Sequence, residues 1–147
     1  MMTEETVETT EVVEPKPKAK AKPKKKQYEY FSEKELKCKH TGESGMDDKF
    51  MEVLIAIRKE CDFPFPITSA YRHPTHPAEA RKESTGAHSL GRAVDVAVRG
   101  EKALKLISVA QAHGITRIGV AQKGTSRFIH IDNCTEEDGF PSAIWSY

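Results

Sequence analysis

The sequence predicts an α+β fold, a small antiparallel sheet with flanking helices, on a chain of 147 residues. Three observations carry that prediction. Residues 46–60 and 101–113 place apolar side chains at helical spacing. Short runs of β-branched and apolar residues at 66–69, 92–98, 115–121 and 128–132 read as strands. The order is helices first, then strands broken by one helix, with an antiparallel hairpin near the end, which belongs to α+β chains. The length suffices for one domain with a real core.

The first 27 residues stand apart. MMTEETVETTEVVE, residues 1–14, is acidic, and PKPKAKAKPKKK, residues 15–26, carries seven lysines and three prolines. The net charge of +1 averages these two blocks and hides them. Neither block has apolar spacing to bury, and a Pro-Lys alternation favours extended, solvated chain. Residues 1–27 are therefore expected to form a disordered tail, and residues 28–147 the folded domain. The lysine run is expected to act as a solubilising tether or to make weak electrostatic contact with an anionic polymer, whether cell wall, membrane surface or nucleic acid. No apolar leader of the 7–15-residue kind is visible, so synthesis in the cytoplasm without a signal peptide is expected. No segment reaches the roughly 20 apolar residues of a membrane span. Three cysteines at unpatterned spacing, Cys38, Cys61 and Cys134, argue against a disulfide framework.

Within the domain, Ser32 followed by Glu35 is a capping-box pattern opening a short helix. In the helix over 46–60, Phe50, Val53, Leu54 and Ile57 fall on one stripe, and Asp47 and Asp48 suit its N-terminal end. Pro66–Ser69 reads as a strand, and Pro77 as the first residue of a short helix reaching about Glu83. Residues 92–98 read as a buried strand. Ala103, Leu104, Leu106, Ile107 and Ala110 mark the second long helix, closed by Gly114. Ile115–Ala121 and Phe128–Asp132 flank a loop containing Gly124 and form the hairpin.

The stretch GAHSLGRAVDVAV, residues 86–98, sets Asp95 inside an apolar run. A carboxylate there must be exposed, paired or metal-bound. His88 and Asp95 differ in parity, so one continuous strand would point them to opposite faces. If they cooperate, His88 sits in the loop before the strand, and Gly91 lets the chain turn. In FIHID, residues 128–132, Phe128, His130 and Asp132 share one face while Ile129 and Ile131 share the other. The isoleucines belong to the core, so His130 and Asp132 look toward a cleft. Two histidines and a carboxylate are a recurring catalytic zinc set that leaves a fourth position for water, whose pKa falls to about 7. A lone His-x-Asp in a strand is more often a structural hydrogen-bonded pair.

TSAYRHPTH (68–76), AHSLGRAVDVAV (87–98) and RFIHID (127–132) together resemble the zinc D-Ala-D-Ala carboxypeptidase family, which includes phage-type L-alanyl-D-glutamate endopeptidases and shares its fold with the hedgehog signalling domain. GITRIGVAQKG (114–124) also resembles phage-type members. The resemblance spans roughly residues 28–147 and implies a hedgehog/DD-peptidase-like fold. It implies that His88, Asp95 and His130 hold one zinc ion and that Arg72 faces the substrate through its planar fork of donors. Ser69 and His76 are further candidates for substrate contact. Many relatives carry the general base three residues before the last histidine, and here that residue is Arg127. Asp132 is the substitute this sequence offers, with a residue orienting His130 as its other reading. Trp145 and Tyr147 are expected to pack down the last segment or to form a substrate platform.

The function these residues imply is a zinc metallopeptidase hydrolysing peptidoglycan stem peptides, as a carboxypeptidase or an endolysin-type endopeptidase in phage-related wall lysis. The partner is then a wall peptide and the expected state a monomer, acting after release from the cytoplasm or as part of a phage particle. Two rivals stand beside it. One is a non-catalytic zinc-containing module of the same fold that binds a wall peptide or protein. The other is a nucleic-acid accessory protein, resting on the lysine run alone.

Overall fold

The computed structural model describes residues 28–80 and 86–147. The expected tail, 1–27, and the helix end expected near Glu83 lie outside these residues. The element order is α1 (Glu33–Leu36), α2 (Asp48–Cys61), β1 (Ile67–Ser69), α3 (Pro77–Ala80), β2 (Ala93–Val96), α4 (Glu101–Ala112), β3 (Arg117–Ala121), β4 (Phe128–Asp132) and β5 (Ala143–Ser146). A 3-10 turn, Glu136–Asp138, precedes the last strand.

Local chemistry starts the helices where the sequence indicates. The Ser32 side chain accepts from the Glu35 amide and Glu35 reaches back to the Ser32 amide, closing the box at α1. Asp47 does more for α2 than complement its dipole. It is the N-cap, and its carboxylate accepts from the Phe50 amide at 2.9 Å. Phe50, Met51, Leu54, Ile57 and Cys61 form the buried face of α2, with Val53 at its margin. In α4 the stripe is rotated from the expected one. Leu104 is 70% exposed and the buried side chains are Ala103, Leu106, Val109 and Ala110.

The sheet runs in the order β1-β2-β4-β3-β5. The first four strands pair antiparallel, as expected, and β3 and β4 form the hairpin. The fifth strand was not legible and pairs parallel to β3, so the sheet is mixed. AIWS lacks a buried alternation, with three of its four residues exposed, and backbone bonds to β3 define it. Helices α2 and α4 pack together, and α4 lies against β4. Between these helices and the sheet sit Val94, Val96, Ile129 and Ile131, all fully buried. Burying that face leaves the opposite one to carry polar side chains, because residues alternate along each strand.

Candidate metal centre

One transverse row crosses all five strands on the polar face. Ser69 is opposite Asp95, Asp95 opposite His130, His130 opposite Gly119, and Gly119 opposite Trp145. Directly opposed residues of an antiparallel pair hold their Cβ atoms about 4.5–5.5 Å apart. The register therefore brings Asp95 and His130 together before any loop contributes. His88 comes from the turn that precedes β2, as its parity required. That turn is held by backbone: the Asp47 amide donates to the Gly91 carbonyl at 2.8 Å. Gly91 has φ +73°, and a Cβ there would stand 1.9 Å from the Gly45 carbonyl oxygen. Only glycine fits, so the loop carrying His88 is seated against the start of α2.

The three residues are 5–6% exposed and their side chains converge. Asp95 Oδ1 lies 3.4 Å from His88 Nε2 and 3.0 Å from His130 Nδ1. Each has a ligand atom within 4.8 Å of the others, the one such group of three among the described residues. The far nitrogens of both rings are already engaged. His88 Nδ1 donates to the Ala70 carbonyl at 2.7 Å, and His130 Nε2 faces Asp132 Oδ2 at 2.7 Å. A proton on each outer nitrogen leaves the inner nitrogen with a lone pair. Two such nitrogens and a carboxylate oxygen then face one another, an arrangement a cation resolves. Ligand atoms on a tetrahedral zinc stand about 3.3 Å apart, given bonds of about 2.0–2.1 Å. The donor set fits that ion in chemistry and in spacing.

The electrostatics agree. Burial opposes ionisation of Asp95, but its contacts with the His130 and His88 rings outweigh it and hold the carboxyl well below the usual range. Burial likewise opposes a charge on His130, and the contacts with Asp132 and Asp95 overcome it, raising the ring above the ordinary imidazole range. The pocket concentrates negative charge around the two rings.

Arg72 lies at the rim, its side chain 23% exposed. Nε donates to Ser69 Oγ at 3.0 Å and Nη1 to Glu79 Oε2 at 3.2 Å, while Nη2 stands 3.8 Å from Asp95 Oδ2. Glu79 is buried and also accepts from Ser89 Oγ at 3.1 Å. Ser69 thus orients Arg72 instead of the metal face. Arg72 lines a cleft of about 460 Å³ together with the three converging residues and an aromatic wall of Phe128, Phe140, Trp145 and Tyr147. His76 is not among the lining residues. Its Nδ1 accepts from the Ala78 amide at 3.0 Å at the start of α3, and its ring rests against His40.

Asp132 differs most from expectation. It is fully buried, and its carboxylate lies behind His130, on the ring nitrogen opposite the one that faces Asp95. Oδ1 accepts from Arg117 Nε at 3.0 Å and from the Cys134 amide at 3.1 Å. Two residues along the strand put Asp132 on His130's face, but the ring itself separates it from the converging ligand atoms. Arg127 is out in the hairpin loop, donating to the Gly124 carbonyl.

Sequence reasoning missed Glu79, Arg117 and Gly119. The signal for Gly119 was a glycine inside a strand, which marks a close approach. A Cβ there would stand 2.6 Å from Trp145 Nε1, and its absence lets the indole lie across β3 with its centroid 5.2 Å from that of His130.

A model of the family described as Peptidase M15 matches residues 29–132, well over half of the chain, and takes in Ser69, Arg72, His88, Asp95, His130 and Asp132. Comparison with curated proteins finds no match. The family consists of zinc-dependent peptidases that act on peptidoglycan, and the buried His-Asp-His group is the place in this fold where such an ion fits. Strand register, the converging donor set and the family match therefore agree, and the chain belongs to the peptidase M15 family.

Proposed function

We propose that this domain is a zinc metallopeptidase that hydrolyses peptide bonds in peptidoglycan stem peptides, with His88, Asp95 and His130 as the metal ligands. The observation that carries the reading is the convergence of three lone-pair donors in a cleft rimmed by a preorganised arginine. Zinc in that position supplies Lewis acidity and lowers the pKa of a bound water to about 7. Arg72, fixed by Ser69 and Glu79, offers a planar donor group to a substrate carbonyl or carboxylate entering beside Asp95. Asp132 holds His130 in the tautomer that presents Nδ1 to the cleft. The aromatic wall excludes water from one side of the substrate. The setting we propose is wall lysis, supported by the resemblance of residues 114–124 to phage-type members.

One observation favours a second reading, a zinc-containing module that binds wall peptide without cutting it. The carboxylates lining the cleft are Asp95 and Asp132, and both are committed to other partners. Arg127 stands where relatives carry a base. Mass spectrometry of purified peptidoglycan fragments decides between them. New fragment masses that vanish with chelator and return with zinc support the peptidase. Zinc-dependent retention on wall material with no new fragments supports the module.

A further inference from the structure

A fully buried carboxylate needs partners for its oxygens, and its partners fix where it points. For Asp132 the cationic partner is Arg117, directly opposite it on β3. Nε contacts both carboxylate oxygens, at 3.0 and 3.2 Å. Arg117 is itself clamped. Its guanidinium carbon lies 5.0 Å from the Phe140 ring centroid and 4.9 Å from that of Trp145, and Nη1 donates to the Pro141 carbonyl at 2.7 Å. The clamp comes entirely from residues 140–145, beyond the stretch matched by the family model.

We propose that Arg117 is a positioning residue of the metal centre, holding Asp132 so that Oδ2 accepts a hydrogen bond from His130 Nε2–H and His130 Nδ1 is presented to the metal. The chain of contacts runs from the aromatic clamp through Arg117 and Asp132 to His130, and each link is within hydrogen-bond or stacking distance. The C-terminal segment thereby takes part in metal binding without supplying a ligand. This inference rests on His88, Asp95 and His130 being the metal site.

The test measures zinc affinity of the full chain by competition with a chromophoric chelator, and reads the His130 tautomer in the metal-free protein from its ring ¹⁵N shifts, at a pH high enough to leave the ring neutral. Arg117→Met keeps the stem between the two aromatic rings but removes the donors. It is expected to weaken zinc binding about 10–100-fold, the usual cost of losing an outer-shell partner, and to shift the Nδ1 resonance away from the unprotonated position. Arg117→Lys restores part of the affinity. Made in an Asp132→Asn background, Arg117→Met should cost little more, because its effect passes through Asp132. Should Arg117→Met fail to fold, Arg117→Lys alone is expected to weaken binding several-fold, and unchanged affinity overturns the proposal. It is also overturned if Arg117→Met binds zinc as wild type does, if it changes only KM, or if its cost is undiminished in the Asp132→Asn background. A wild-type chain that takes up no zinc defeats the metal-site reading instead, so the two failures are distinguishable.

Discussion

Replacing Gly119 by alanine tests the geometry of the row directly. The added Cβ would meet Trp145 Nε1 at 2.6 Å, Cε2 at 2.8 Å and Cζ2 at 3.0 Å. Ordinary contact begins at 3.4 Å, so the indole must retreat by about 1 Å, and it is a rigid plane with no flexible end to swing aside. Overpacking of this kind costs about 1–3 kcal/mol. Restricting the unfolded chain returns about 0.4–1 kcal/mol. The net loss is about 0.5–2 kcal/mol. With an unfolding entropy of about 2.1 cal/mol/K per residue, a domain of about 120 residues loses roughly 4 °C for each kcal/mol. Gly119→Ala should therefore melt about 2–8 °C below wild type. Trp145 is the sole tryptophan, so intrinsic fluorescence reports on it without interference. Its emission maximum should shift as the ring leaves His130 and Arg117. On the proposed function kcat/KM falls as well, since a displacement of about 1 Å near the reacting groups costs up to about 100-fold. Adding Trp145→Leu should recover most of the melting temperature. A Gly119→Ala protein that melts within 1 °C or so of wild type with unchanged emission would show that the indole does not rest on Gly119.

Alanine at His88, Asp95 or His130 should lower zinc content and abolish hydrolysis, and undiminished zinc in all three variants would refute the ligand assignment. Asp132→Asn should lower zinc affinity about 10–100-fold while kcat at saturating zinc stays within a few-fold; a loss of kcat of about 100-fold or more with normal zinc affinity would restore Asp132 as general base. Arg72→Lys should fold yet hydrolyse at least about tenfold less well, because a lysine cannot serve Ser69, Glu79 and a substrate together; wild-type kcat/KM would remove Arg72 from the substrate site. Burial, with the nearby Asp132 charge, pushes the Cys134 thiol up to about 11. Its folded value is raised, so the stability it contributes is present below about pH 9 and lost as pH rises through about 11. Denaturation of wild type and Cys134→Ala across that range should show the smaller slope in the variant.

The sequence made the centre legible because its polar residues interrupt strong apolar patterns. Val94, Val96, Ile129 and Ile131 fixed which face was core, and parity then assigned His130 to the cleft and His88 to the preceding loop. The β4 boundaries, Phe128–Asp132, came out of the same alternation. What stayed hidden depends on pairing between distant segments. β5 has little buried apolar surface, so no periodicity announced it, and with it went the seat of Trp145 and the clamp on Arg117. Leu104 has helical spacing, but α4 is turned so that Leu106 and Val109 face inward and Leu104 faces out. Asp132 shared a face with His130, as its spacing required. Spacing along a strand says nothing about the ring orientation that puts the carboxylate behind the histidine.

The transverse row has a consequence for how the molecule is checked after folding. Side chains alternate between faces, so a slip of one residue in the β4 pairing would send Ile129 or Ile131 to the cleft and His130 into the helices. Such a sheet would still be hydrogen-bonded, and spectroscopy of its secondary structure would scarcely tell it from the native one. It would, however, lack one nitrogen at the meeting point of three donors. On the proposed ligand set, bound zinc in a refolded sample would then act as a proofreading mark, counting the molecules whose strands are aligned to the residue.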